Sequence, residues 1–349
     1  MNKYISIFLI LSIFFSTPLV FGEENISPIL WKYKTSSWVL STATTNDNSY
    51  TAASSLDGYI YFFDETGKLL WSQNVDHRVV FFSISDVVSA VTGERIYLFT
   101  KFGELFSSYK TVQGSYMVIN QEGNYVGGSS SNVYAILYKN SRPEWDYRTG
   151  DKINSVSLTE DGSTLAIASS DNFVYVVKLG FLQWKYDLQA PATSVAVTPD
   201  ASYIVCGSGS FESKEGDAPR DYKIFLFDKE GKLLWSQKIG YTVSSVSITP
   251  DGSFIAVGSW DKKVHIFSKS GEHLKEFKTE GNVWSVSITP DGKKVVAGST
   301  DTNVYLLDVA LMASPEKESS NNALFFIIPG TILLLVALFL VFKKKKNKK

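Results

Sequence analysis

The sequence predicts an all-β protein: a seven-bladed β-propeller closed by an N-terminal strand, followed by one C-terminal transmembrane helix. Three observations lead there. The octapeptide SVSITPDG occurs at residues 245–252 and again at 285–292, with looser copies SVAVTPDA from Ser194 and SVSLTEDG from Ser155. An aromatic residue recurs at intervals near 40, at Trp31, Trp71, Phe106, Trp145, Trp184, Trp235 and Phe277. The last copy of the repeat has no aromatic strand of its own, whereas the N-terminal region carries a stray one, ILWKYKT at residues 29–35.

The repeat unit reads as four strands, named a to d from the inside out. A TPDG-type turn follows strand a, as TNDN at Thr45, QEG at Gln121, TEDG at Thr159, TPDA at Thr198 and TPDG at Thr249 and Thr289; a degenerate copy near residues 83–89 lacks it. After the turn come an apolar run, a small-residue stretch and a second strand, as in SFIAVGSWDKKVHIFSKSG from Ser253. β-branched and aromatic residues at period two fit strands, and four short strands per unit of about 40 residues is the pattern of a propeller blade. Trp31 lies 40 residues before Trp71, the interval of a strand d without its own a, b and c. That strand completes the seventh blade and removes the open edges of an unclosed array.

The two ends carry targeting signals. Lys3, the apolar run 4–15 and Val20-Phe21-Gly22 before Glu23 read as a signal peptide over residues 1–22. Residues 323–342 hold no charge and precede KKKKNKK, which is long enough to span about 30 Å of hydrocarbon and ends in a cytoplasmic basic tail, 343–349. Between them lie the propeller, 23–311, and a linker, 312–322, whose 11 residues reach roughly 20 Å as a flexible coil. The expected location is the plasma membrane, single-pass, with the propeller extracytoplasmic.

Charge restricts the partners. The chain has 34 basic and 35 acidic residues; setting aside Lys3 and the six tail lysines leaves 27 against 35. An ectodomain with a net charge of about −8 and no basic stripe excludes nucleic acid. One cysteine excludes an internal disulfide. Asn25-Ile26-Ser27 is an N-glycosylation sequon.

The chain resembles the archaeal and bacterial extracytoplasmic propellers that mix WD40-like and quinoprotein-like (PQQ-type) repeats, over residues 29–308. Ser259-Trp260-Asp261, Ser299-Thr300-Asp301 and Ser169-Ser170-Asp171 are similar to the b–c turn of WD40 blades, and GKLLW at 67–71 and 231–235 is similar to the quinoprotein repeat. The resemblance implies that Asp57, Asp171, Asp261 and Asp301 tie down turn backbone. It also implies that Trp31, Trp71, Trp145, Trp184 and Trp235 dock between blades. There is no Gly-His dipeptide, and Trp145-Asp146 is the single Trp-Asp at strand d, so the WD40 signature itself is absent.

No catalytic motif is visible. His77, His265 and His273 lack metal-ligand spacing, so no metal is predicted; Cys206 reads as an inert buried thiol. PQQ is the cofactor the quinoprotein likeness would imply, but neither a calcium-binding carboxylate set nor vicinal cysteines can be found, and no cofactor is predicted. Two features break the repeat: an insertion at 209–222, with Phe211 and Arg220, and Asn282-Val283-Trp284 at the start of the last strand a. Together with Trp260 they fall on the face of the b–c and d–a loops, the top. The expected function is a monomeric binding or scaffold module for another protein or an envelope component. The alternative is a quinoprotein-like oxidoreductase or other propeller enzyme with its site in the top funnel.

Overall fold

Strand-forming residues punctuated by Gly, Asn and Asp turns fold into four-stranded antiparallel sheets. The computed structural model describes residues 27–75, 79–84, 88–92, 95–110, 117–119, 125–130, 133–139, 142–212 and 220–315. The expected signal peptide, Asn25, His77, most of the linker, the apolar segment 323–342 and the lysine tail lie outside them. Among the described residues, no helix is long and apolar enough to cross a membrane.

Strands a, b, c and d of the first sheet are Val39–Thr44, Tyr50–Ser55, Tyr59–Asp64 and Leu69–Asn74. The second sheet holds Val79–Ile84, Val88–Thr92, Arg95–Phe99 and Leu105–Lys110, and the third Met117–Ile119, Tyr125–Ser130, Tyr134–Lys139 and Arg142–Arg148. The fourth holds Ile153–Leu158, Thr164–Ser169, Phe173–Lys178 and Phe181–Asp187. The fifth holds Ala192–Val197, Tyr203–Ser208, Lys223–Asp228 and Leu233–Lys238. The sixth holds Val243–Ile248, Phe254–Ser259, Lys263–Ser268 and His273–Lys278. In the seventh, Val283–Ile288, Lys294–Ser299 and Asn303–Asp308 pair in order, and the fourth position is taken by Ile29–Lys34, antiparallel to Asn303–Asp308.

Strands a of successive sheets contact one another in chain order, and the seventh contacts the first, closing the circuit. The repeated serines supply part of this seam. Ser155 and Ser157 accept from the backbone N–H of Val195 and Val197, and Ser245 and Ser247 from Val286 and Ile288, at 3.1–3.3 Å. Ser285 accepts from Thr42 N–H at 3.0 Å, across the join of last sheet to first. Each hydroxyl therefore satisfies a backbone donor that the sheet ladder leaves over.

The apolar core lies between sheets. Ala166, Val174 and Val176 pack on Val195, Ile204 and Phe225 between the fourth and fifth; Val39, Ala53 and Phe63 pack on Val296, Val304 and Leu306 between first and seventh. Outside the core, the tryptophans of strand d seat on the next sheet's c–d turn. Trp71, Trp184 and Trp235 donate from Nε1 to the carbonyls of Lys101, Lys229 and Lys269 at 2.8–3.0 Å. Each indole covers a turn glycine with φ between +82° and +85°: Gly103, Gly231 and Gly271. Trp31 covers Gly67 and Trp145 covers Gly180 in the same way, without a partner for Nε1.

Two expected members of the aromatic series are corrected. Lys275, not Phe277, stands in the tryptophan register: it pairs with Ile266 as Trp235 pairs with Leu226. Phe277 pairs with Val264, the place of Tyr33 opposite Val304. Phe106 falls in the bulge between Leu105 and Ser107, and Ser107 takes the register position. The physical reason is that in these two sheets the position directly after the c–d bulge, where tryptophan stands elsewhere, carries Ser107 and Lys275, so the nearest aromatic sits one or two residues away. Nor does the linker begin at 312. Met312 is buried, Ala313 bridges to Glu276 of the sixth sheet, and Lys275 Nζ donates to the Met312 carbonyl at 3.0 Å. With no c–d turn in the seventh sheet, Lys275 replaces a docking tryptophan.

Candidate functional site

Antiparallel strands put every b–c turn and d–a connection at one end of its sheet. Four of the b–c turns are built alike. In Asp57, Asp171, Asp261 and Asp301, Oδ1 accepts from the backbone N–H two residues on, at 2.9–3.1 Å. Oδ2 accepts from the hydroxyls of Tyr61, Tyr175 and Tyr305 at 2.6–2.9 Å, while Asp261 contacts His265 Nε2 at 2.8 Å. Oδ2 also accepts from the preceding d–a connection, at Ser36, Gly150 and Glu280 N–H. Burial first, and then the bond to aspartate, raises the three tyrosines above the ordinary phenol range, so they stay donors.

On this scaffold the structure brings three of the five expected binding residues into ring contact. Trp260, in the sixth sheet's b–c turn, stacks on Trp284 with centroids 5.4 Å apart and planes at 29°. Phe211 lies 6.0 Å from each of them. Asn282 is tied through its backbone to the seventh sheet's b–c turn, its N–H donating to Thr300 Oγ1 and its carbonyl accepting from Thr300 N–H. The indole N–H of Trp260 and the Oδ1 of Asn282 are buried with no hydrogen-bond partner. Arg220 is exposed, and its backbone N–H donates to the Gly240 carbonyl at 2.6 Å.

Two neighbours at the same end escaped the sequence reading. Trp38 is 47% and Leu56 44% exposed, and Leu56 N–H donates to the Trp38 carbonyl. Their signal was present: Leu56 occupies the turn position of Trp260, and Trp38 the d–a position of Asn282. Both side chains thus stay about half exposed at the loop end of the first sheet.

The outer half of the sixth sheet holds the second cluster. His265 is buried, with Nδ1 3.2 Å from His273 Nε2. Glu276 is opposite His265 across the pair and bonds Lys263 Nζ at 2.8 Å. Burial, and then His265 beside it, pushes the His273 imidazole down to about 4. The expectation that the histidines lack metal-ligand spacing is corrected here, because strand pairing and the bulge unite residues that look scattered in the chain. This group has two imidazoles and one carboxylate, whereas calcium takes oxygen ligands, and among the described residues it is the single such group of three. The residues do not fit the calcium-assisted quinone site that the quinoprotein likeness implies. Cys206 is fully buried, which pushes its thiol well above the ordinary range and leaves it inert.

A closed circuit of four-stranded antiparallel sheets, with core between the sheets and five tryptophans each seated over the next sheet's turn, defines a β-propeller. Residues 233–268 and 271–308 match the WD domain, G-beta repeat family, and residues 27–178 match the outer membrane protein assembly factor BamB family. No curated protein matches the chain. Each matched stretch starts at or just before a strand d and ends with a strand c, so both families divide this chain into d–a–b–c units.

Proposed function

We propose that the chain is a seven-bladed β-propeller, closed by its N-terminal strand and anchored to the cell surface by the apolar segment 323–342, that binds a protein through the top face. One observation carries the reading: Phe211, Trp260 and Trp284, contributed by three successive sheets at the same end, form one aromatic platform. Large aromatics gathered in this way are the usual anchors of protein interfaces. The matched BamB family is named for assembly of outer membrane proteins, which supports a protein or envelope component as the occupant. The role is a binding one, without a cofactor.

Native mass spectrometry of the full chain, gently purified from its own host, tests this. A protein at fixed stoichiometry, lost from both Trp284→Ala and Trp260→Ala, is the expected result. A partner retained by both variants, or a small bound mass with visible absorbance in its place, overturns the reading.

A further inference from the structure

Two departures from the repeat, His265 and His273, meet the carboxylate of Glu276 at one spot in the sixth sheet. His265 holds the strand-c place of Tyr61, Tyr175 and Tyr305. His273 lies opposite Phe267 where Leu69, Leu105 and Leu233 lie opposite Phe63, Phe99 and Phe227. Glu276, opposite His265, holds the place of Ser72, Lys185 and Lys32 opposite the three tyrosines. Packing needs neither histidine, since other sheets close with tyrosine and leucine at those places; at the Glu276 place the third sheet also carries an acid, Asp146 opposite Ile136.

We propose that this hairpin binds one divalent first-row transition ion of the zinc class through His265 Nδ1, His273 Nε2 and a carboxylate oxygen of Glu276. One ligand atom from each residue lies within 4.8 Å of the other two. The two nitrogens are 3.2 Å apart; ligands at the usual Zn–N distance on a tetrahedral ion stand about 3.3 Å apart. Asp261 Oδ2, 2.8 Å from His265 Nε2, accepts its proton and leaves the Nδ1 lone pair for the metal. A carboxylate behind a ligating imidazole is the usual orienting arrangement. Asp261 is itself fixed by the Lys263 N–H at 2.9 Å, so the orienting group is set before any ion arrives. His273 stacks on Phe267 with centroids 4.7 Å apart and planes at 19°, which holds its ring. Lys263 bonds Glu276 Oε1 and leaves the second oxygen to the ion. Water completes the coordination shell.

The chain tests this without a lost scaffold, because the repeat supplies its own controls. Titration of the full chain with ZnCl2 by calorimetry, and with CoCl2 by the visible absorption of four-coordinate cobalt, is expected to show one equivalent bound. His265→Tyr and His273→Leu install residues that other sheets use at those positions, and each is expected to abolish binding while keeping the wild-type melting transition. Asp261→Asn is expected to weaken zinc by about 10- to 100-fold. If either histidine variant fails to fold, Glu276→Gln, which keeps the side-chain shape, decides by losing or keeping the cobalt spectrum. Absence of zinc binding by the wild type, or full binding by the folded variants, overturns the assignment.

Discussion

The closure of the propeller can be stressed at one atom. Gly67, in the first sheet's c–d turn, has φ +84°, and a Cβ there would stand 2.5 Å from Trp31 Cγ and 2.6 Å from Cδ2. Trp31 belongs to the N-terminal strand, so Gly67→Ala strains the join between last and first sheets and nothing else nearby. Alanine in the left-handed region costs about 1–2 kcal/mol. Overpacking against a seated indole adds about 1–3 kcal/mol. A total of about 2–5 kcal/mol is a large part of the stability of a typical domain. The two costs separate in a double-mutant cycle with Trp31→Ala, measured by urea denaturation. Removing the indole abolishes the clash but not the backbone strain, so the coupling energy is expected to be about 1–3 kcal/mol. If Gly67→Ala costs the same with and without the indole, Trp31 does not sit on that turn, and the account of closure is wrong.

Two further outcomes are expected. Ser285→Ala leaves the Thr42 N–H without its acceptor at the same join, and a buried unsatisfied donor costs about 1–3 kcal/mol; an unchanged melting temperature would show that the serine is not part of the seam. In the a–b turns, Asp251 is held at about 2 by the Ser253 hydroxyl, then by Ser253 N–H and the Thr249 hydroxyl, and Asp47 at about 2, first by Thr45. Because these values are depressed, the stabilisation is complete above the unfolded value of 3.8 and is lost as the pH falls towards 2. Denaturation midpoints between pH 5 and 2 should fall less steeply in Asp251→Asn; an unchanged slope would sink the assignment.

Much of the ring was legible because the features that hold it recur once per sheet. The serines of SVSITPDG repeat because backbone donors of neighbouring strands need acceptors, and the turn aspartates repeat because each b–c turn needs its N–H groups tied down. The register of strand d was less legible. Counting aromatics leads to Phe277, whereas pairing leads to Lys275, because the register position in this sheet carries a residue that no search for aromatics finds. The histidine cluster was hidden because spacing along the chain does not show which residues strand pairing brings together. His265 and His273 are eight residues apart, no standard ligand spacing, and only the hairpin with its bulge puts one nitrogen 3.2 Å from the other.

What distinguishes the candidate sites from the scaffold is departure from the repeat, and the departures are not scattered. Trp260 belongs to the aromatic platform, and its chain neighbour Asp261 orients His265. Both stand in one b–c turn of the sixth sheet, held between the Thr242 carbonyl, which accepts from Trp260 N–H, and the Lys263 N–H, which Asp261 accepts. In the fourth sheet the same turn carries Ser170 and a tyrosine partner, Tyr175, for its aspartate. A turn whose outward residue and whose aspartate partner have both changed, on a backbone that has not, is one in which the scaffold requirement is already met. The new side chains are then free to answer to something outside the sheet.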